Sequence, residues 1–333
     1  MVKKSIFPLP LSLFYFSACF RFPCFSLGVY SNVFKEISDI HCMKLVPCNT
    51  CGSLSFVTLY QKGSPLGESF EVVKCKKCQL VQVNPQPSLE DVIKYYSDSY
   101  FTERTDRGYD NYYSEKIQNE ISRVFQLNLN DLAFFQWEKK YFSKKENRRS
   151  SLDIGCAAGY FVDFMKNRGY AAEGIEVADG PVDFARNKLG LTIHKENFLT
   201  WDLDYKHKYD VVTLWATIEH LHSPKETLIK IKNHLNPGGT LILSTCRYGI
   251  LSKWHGVKWR YLNVPEHLYY YSLGGLRSLL KEIEYKDPIS LTYGSGMTSR
   301  PNASLLFKIG KTILDPLVKY TNQGDMMAIR VTL

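Results

Sequence analysis

From Ser151 to Thr245 the apolar positions switch repeatedly between two periods. Ser151–Ile154 reads as a short buried strand, and the stretch after it places Phe161, Phe164 and Met165 on one helical face before stopping at Gly169. Ala171–Val177 is a second predicted strand. Pro181 then opens a helix with Val182, Ala185 and Leu189 inward, closed by Gly190. Tyr209–Trp215 is a third strand rich in β-branched residues. Ser223-Pro224-Lys225-Glu226 has the form of a capping box with proline at the first helical position. Its helix turns Leu228, Ile231 and Leu235 inward and ends before Pro237-Gly238-Gly239, after which Thr240–Thr245 is the next strand. Two further strands, Ile289–Thr292 and Met326–Leu333, flank a helical excursion at Ala303–Tyr320. Strands alternating with helices predict an α/β fold, a doubly wound and mostly parallel sheet covered on both faces.

The chain before residue 148 is organised differently. Residues 43–84 are short strand-like pieces between cysteine pairs, and Asn84-Pro85-Gln86-Pro87 reads as a linker. From Ser88 the pattern is helical and aromatic. Ser88 can cap a helix with Asp91 at its third position, and Tyr95, Tyr96, Tyr100, Tyr109, Tyr112 and Tyr113 follow closely, as a lid would need. The charged run Lys144–Arg149 marks a boundary. The expected division is therefore an extension over 1–42, a small metal-binding unit over 43–84, a helical lid or linker over 85–147, and the main domain over 148–333. In the extension, Lys3 and Lys4 precede an apolar, aromatic run from Ile6 to Phe34, like a signal or anchor. Pro8, Pro10, Pro23 and Arg21 interrupt that run, so no stable span is expected. The segment reads as disordered, as membrane-associated, or as untranslated if Met43 is the start. A cleaved secretory signal fits least.

Composition changes this picture at two points. Hydrophobic residues at 44% and charged residues at 23% suit a globular protein, and a net charge of +9 over 333 residues is compatible with an anionic partner without being a polybasic tail. The nine cysteines matter more. Cys48-x-x-Cys51 and Cys75-x-x-Cys78 would set four thiolates around one tetrahedral zinc, a closed and hence structural site. Thiolates at this paired spacing, with an odd cysteine total, point to a reducing, cytoplasmic setting.

The candidate chemistry lies at the strand ends, where ligands of such sheets bind. Leu152-Asp153-Ile154-Gly155-Cys156-Ala157-Ala158-Gly159 is a strand, an acid and a glycine-rich turn leading into a helix. Glu176 ends the next strand, 23 residues past Asp153, the place of an acid that binds a ribose diol. A dinucleotide would want three glycines and no acid entering the turn. The carboxylate of Asp153 repels phosphate and attracts a cation such as an amino group, which points to S-adenosylmethionine (SAM). Ala157, standing where the middle glycine would be, demands a negative φ there.

With these residues in view, segment 150–246 resembles the class I SAM-dependent methyltransferases, in particular the small-molecule group of ubiquinone-biosynthesis O-methyltransferases. Leu152–Gly159 is similar to the family's first motif and Glu176 to its ribose-binding acid. Glu196-Asn197-Phe198 falls where the family contacts adenine, with Asn197 in place of the usual acid. Tyr209–Trp215 with Ile218-Glu219-His220-Leu221 resembles the fourth-strand motif, and Asn236-Pro237-Gly238-Gly239 the turn before the fifth strand. The resemblance implies a seven-stranded Rossmann-like sheet and a SAM site formed by Asp153, Gly155, Cys156, Ala157, Gly159, Glu176, Asn197, Phe198 and Trp215. A zinc ribbon in front of such a domain also recurs in this family.

Methyl transfer needs alignment of acceptor and methyl group, and a base only if the acceptor loses a proton. His220, His222, His255, His267, Glu219 and Glu266 are the candidates. His267, in the Pro265-Glu266-His267-Leu268 element after the fifth strand, is the favoured base or substrate contact, with His220 and Glu219 meeting the substrate or a divalent ion. The expected activity is methylation of a small molecule such as a sugar, lipid or quinone intermediate. The alternatives are an RNA acceptor, which the positive charge and the ribbon allow, and a non-catalytic zinc-ribbon interaction protein on a methyltransferase scaffold, which Ala157 and Asn197 allow.

Overall fold

A computed structural model describes residues 44–96, 98–103, 111–143, 148–204, 206–297 and 304–333. The N-terminal extension, Tyr109 and most of the charged run from Lys144 lie outside the described residues. The chain opens with strands β1 (Phe56–Gly63), β2 (Ser69–Cys75) and β3 (Val81–Val83). Four helices follow: α1 (Leu89–Ile93), α2 (Asp98–Thr102), α3 (Glu115–Asp131) and α4 (Phe134–Phe142). The alternating part then runs β4 (Ser150–Ile154), α5 (Tyr160–Asn167), β5 (Ala171–Glu176), α6 (Asp179–Leu189), β6 (Thr192–Lys195) and β7 (Tyr209–Trp215). It continues with α7 (Pro224–Asn233), β8 (Leu235–Cys246), α8 (Ile250–His255), β9 (Tyr269–Tyr270), α9 (Leu273–Glu282), β10 (Lys286–Tyr293), α10 (Leu305–Tyr320) and β11 (Met326–Thr332).

The large sheet has seven strands in the order β10-β11-β8-β7-β4-β5-β6. Its five central and right-hand strands, β8 to β6, pair in parallel, and β11 is antiparallel to both of its neighbours. The order reverses between β4 and β7, because β5 and β6 extend to one side and β8 to the other. That reversal opens the crevice in which doubly wound sheets bind ligands. Central strands are buried on both faces, and β7 accordingly presents Tyr209, Val211, Val212 and Leu214 almost fully enclosed.

Three local expectations are revised. β8 begins at Leu235, earlier than its apolar run suggests, because Asn236–Gly239 forms an irregularity within the strand; Gly238 has a φ of 72° there. The helix α7 starts at Pro224 as expected, but Ser223 makes no side-chain cap. The cap comes instead from Asn49, in the first cysteine knuckle. Its Oδ1 accepts the Lys225 N–H at 2.8 Å, and its amide donates to Glu226 at 3.2 Å. Asn84-Pro85-Gln86-Pro87 is buried instead of being a solvated linker. Asn84 exchanges two 3.0 Å bonds with the Val46 backbone, and Gln86 pairs with Lys44.

These contacts weld the N-terminal strands to the main domain. The small sheet runs β1-β2-β3-β9, so its last strand comes from beyond β8. One apolar core contains Cys48, Val72 and Val81 together with Leu214, Leu243 and Tyr269–Tyr271. A second, built from Leu129, Phe134, Phe161, Met165 and Ile242, seats α3 and α4 on the opposite face of the large sheet.

Candidate functional site

The turn after β4 sits at the reversal of strand order. Asp153 is buried, and its Oδ1 accepts a 2.6 Å bond from the Thr213 hydroxyl of β7. Burial pushes its carboxyl up to about 8, against the Thr213 bond and with help from the nearby Glu176 charge. The chain then turns through Gly155, with φ 68°, whose missing Cβ would lie 2.5 Å from the Thr217 methyl. Glycine is required here by both the backbone and the space. Gly155 and Cys156 both donate to the Ile175 carbonyl, at 2.8 and 3.1 Å, which ties the turn to the end of β5. The Cys156 thiol is raised well above its ordinary value, chiefly by burial, and stays protonated.

Ala157 overturns the expectation made for it. Its φ is +45°, the left-handed region, although it carries a Cβ. The cause is Glu176. One carboxylate oxygen accepts the Ala157 N–H at 3.0 Å, and the other accepts Val177 and Ala178 N–H groups at 2.7 and 3.0 Å. A single half-buried carboxylate thus clamps the turn of one strand to the end of the next. Burial raises the Glu176 carboxyl while the three N–H donors oppose that rise. Oε2, with one backbone donor, keeps capacity for a further hydrogen bond.

The other proposed contacts are placed unevenly. Gly159, with φ 76°, lets α5 begin against Leu191 and Ala185. Trp215, at the end of β7, packs on Phe125 and Phe161, and its buried indole N–H has no hydrogen-bond partner among the described residues. Asn197 uses its side-chain oxygen on the Leu199 N–H at 3.0 Å. Phe198 is buried in the main core with the Lys230 ammonium 5.1 Å from its ring centre.

A second group of side chains gathers beyond β7 and β8. Glu219 and His220 lie on a one-turn 3-10 helix at Ile218–His220, which starts immediately after the Thr217 that abuts Gly155. The Leu268 N–H donates to the Glu219 carbonyl at 2.8 Å, which brings in the loop carrying His267. The His220 and His267 rings meet edge to face at 4.6 Å, and ligand atoms of Glu219, His220 and His267 lie within 4.8 Å of one another. His267 Nδ1 lies 2.9 Å from the Tyr261 carbonyl; since a carbonyl only accepts, Nδ1 carries a proton. His220 Nδ1 likewise faces the Glu266 carbonyl at 2.8 Å and the Tyr96 hydroxyl at 2.7 Å. His222 is drawn away, its Nε2 donating to the Pro87 carbonyl at 3.0 Å, and burial lowers its pKa. His255 lies in α8, its ring 5.5 Å from that of Trp254.

Aromatic residues join the two groups. Tyr96 reaches His220, Tyr112 stacks on Tyr160 immediately after the glycine turn, and Tyr113 stacks on Phe184 at 4.7 Å. Tyr160 also donates to the Tyr112 carbonyl at 2.6 Å. Phe184 and Tyr160 carry no sequence signal beyond their place in amphipathic helices. Thr213 and Thr217 likewise look like ordinary strand residues until β4 and β7 are paired.

Away from this crevice, Cys48, Cys51, Cys75 and Cys78 converge, with ligand atoms within 4.8 Å of one another. The Cys48–Cys78 and Cys51–Cys75 sulfur pairs are 3.3 and 3.6 Å apart, close to the ~3.8 Å edge of a tetrahedron built on 2.3 Å zinc–sulfur bonds. The four thiols therefore fit one tetrahedral ion.

Comparison with known proteins agrees with this layout. The model of a methyltransferase domain family matches residues 114–287, just over half of the chain. The chain is 33% identical over 129 residues to a ubiquinone biosynthesis O-methyltransferase of Haemophilus ducreyi, covering 35% of this chain and 52% of that protein. It is 26% identical over 126 residues to the mitochondrial ubiquinone biosynthesis O-methyltransferase of Schizosaccharomyces pombe, covering 35% and 43%. The chain thus spans about half the length of the curated relatives it matches. A SAM-dependent methyltransferase structure from Archaeoglobus fulgidus aligns over 64% of this chain and 94% of that one, at 15% identity and a TM-score of 0.43, a likeness too loose to add to the assignment. With the family model spanning the sheet reversal and both groups of side chains, this chain belongs to the methyltransferase domain family.

Proposed function

We propose that this protein is a SAM-dependent methyltransferase acting on a small-molecule acceptor, with a structural zinc held by Cys48, Cys51, Cys75 and Cys78. The observation that carries the reading is Glu176, a carboxylate at the end of β5 that fixes the turn over β4 and retains acceptor capacity on Oε2. Asp153, Gly155, Cys156, Ala157 and Gly159 shape the pocket floor. The Asp153 carboxyl, whose ionised form a neighbouring positive charge would favour, suits the amino group of the cofactor, Glu176 its ribose hydroxyls, and Asn197 its adenine through the amide N–H donors left by the bond to Leu199. Phe198 holds that wall from the core. Trp215, whose buried indole N–H lacks a partner among the described residues, lines the inner end.

When bound, SAM supplies a methyl group on a sulfonium, activated towards in-line displacement. The chain's own residues align and deprotonate the acceptor. His267 acts as the base at Nε2, its Nδ1 proton being committed to the Tyr261 carbonyl. His220, oriented by the Glu266 carbonyl and Tyr96, and Glu219 position the acceptor hydroxyl. The stacked Tyr112, Tyr113, Tyr160 and Phe184 cover the crevice and exclude water. The named activity of the relatives, an O-methyltransferase step in ubiquinone biosynthesis, favours a small hydroxyl-bearing acceptor over RNA, and catalysis over a scaffold role.

The division into a zinc ribbon over 43–84, a lid over 85–147 and a catalytic domain over 148–333, in a cytoplasmic setting, belongs to the same proposal. Among the described residues no helix is long and apolar enough to cross a membrane. Titration calorimetry of the zinc-replete protein with SAM and S-adenosylhomocysteine tests the reading: saturable binding of both is expected, and the absence of heat with either overturns it.

A further inference from the structure

The helix α10 is built inside out. A surface helix normally turns its apolar stripe to the core and its charges to water. Here none of the helix residues is buried, and Leu305, Leu306, Ile309, Ile313, Leu317 and Tyr320 are all exposed, Leu306 at 82%, Ile313 at 63% and Tyr320 at 89%. At about 100° per residue these six fall within one arc of roughly 120°. The face turned towards the protein holds the ion pair of Lys311 with Asp315, along with Phe307, Gly310 and Val318. Lys311 also donates to the Met297 carbonyl, and Asp315 accepts from Ser295. An apolar arc of this size left in water is a cost that a surface helix avoids without a partner.

Position and charge indicate what covers it. The helix joins β10 to β11 at the end where Tyr293 pairs with Met326 and Met326 with Cys246. Cys246 ends β8, which runs parallel to β7, so α10 stands at the same end of the sheet as the glycine turn and His267. The segment leaving β8 at that end is of the same character: Ile250 and Trp254 are 60% and 79% exposed, among Lys253, Lys258 and Arg260. Over residues 250–260 and 304–320 there are six Lys or Arg side chains and one carboxylate, Asp315. Lys308 lies along one border of the apolar arc, where a long side chain can hold its charge in a headgroup layer while the stripe enters the acyl boundary; Lys319, on the same border, pairs with Asp131 at 2.6 Å. Tyr320 and Trp254 are the aromatic types that settle at that depth.

We propose that α10, with the start of α8, seats this protein on the surface of an anionic lipid bilayer, the helix axis lying in the plane of the membrane and the mouth of the crevice facing it. This goes beyond the assigned chemistry and stands on surface residues that the catalytic reading does not use.

The test is co-sedimentation of the full chain with vesicles of phosphatidylcholine, with and without phosphatidylglycerol, for the wild type and for the double variant Leu306→Asp, Ile313→Asp. Both positions are exposed, and an unchanged melting temperature and SAM affinity confirm that the variant is folded. The wild type is expected to partition onto the anionic vesicles and to be released by salt. The double variant should lose about tenfold or more in partitioning, and Lys308→Glu a smaller part. Wild type that does not sediment overturns the proposal. So does a double variant that sediments equally well, which would move the anchor elsewhere, for instance to the apolar stretch 6–34. A vesicle-independent dimer in sedimentation velocity that the double variant dissolves would overturn it too, by giving the helix face to a second copy of this chain.

Discussion

The two sides of the crevice are assembled in opposite ways. The side proposed for the cofactor is local: Asp153, Gly155, Ala157, Gly159 and Glu176 lie within one strand–helix–strand unit, and their bonds run between adjacent parallel strands. The side proposed for the acceptor is remote: Tyr96 comes from the segment between α1 and α2, Glu219 and His220 from beyond β7, and His267 from a loop after β8. The loop is fixed by β9 pairing with β3 of the small sheet, and α7 by a cap from the cysteine knuckle. The first side should withstand insults to the N-terminal region, and the second should not.

Removing the proposed zinc is the strongest way to break this comparison. Structural zinc sites contribute on the order of 10 kcal/mol to folding. Chelation should release β1–β3, uncap α7 and loosen β9, abolishing turnover while SAM affinity, followed by calorimetry, changes only severalfold. Equal loss on both sides would show that the halves are not separable. Next in size, His267→Asn is expected to lower kcat by roughly 10²–10⁴ with cofactor affinity unchanged, read from steady-state kinetics beside calorimetry. Glu176→Ala should do the reverse. It removes charge-assisted bonds and weakens SAM binding about 100-fold, and an effect under threefold would remove Glu176 from the site.

A smaller effect follows from Asp153. Its folded-state carboxyl, raised to about 8 from an ordinary 3.8, favours the protonated form. Its contribution to stability is therefore fully present below about pH 4 and is lost as pH rises towards about 8. Melting temperatures of the cofactor-free protein should fall across that window, and Asp153→Asn should flatten the slope. Smallest of all, Ala157→Gly relieves a left-handed backbone and should stabilise the protein by about 1 kcal/mol in denaturant melts. Destabilisation instead would mean that the gain in unfolded-chain entropy outweighs the strain.

The same contrast explains what could be read from the sequence. Asp153, the glycines and Glu176 were legible because strand pairing converts a fixed spacing of 23 residues into adjacency. The cysteine pairs were legible because ligand spacing is short. The sign of φ at Ala157 was not, since it is set by a carboxylate on another strand. Ser223 looked like a cap because nothing local reveals that Asn49, far back in the chain, takes the Lys225 N–H. Asn84-Pro85-Gln86-Pro87 looked like a linker because its polar side chains find buried partners only after Lys44 and Val46 fold across them. The four-residue β6 carries one buried side chain, too little to set a period.

In the proposed function Glu176 both shapes the turn and binds the cofactor. Calorimetric titration of SAM into the wild type and into Glu176→Gln separates the two, since the amide keeps one oxygen acceptor for the backbone but loses the charge and an acceptor. The expected result is saturable wild-type binding and a variant that folds with an unchanged sheet but binds SAM at least about tenfold more weakly. Wild-type affinity retained in the variant, or no binding by the wild type, would contradict the account.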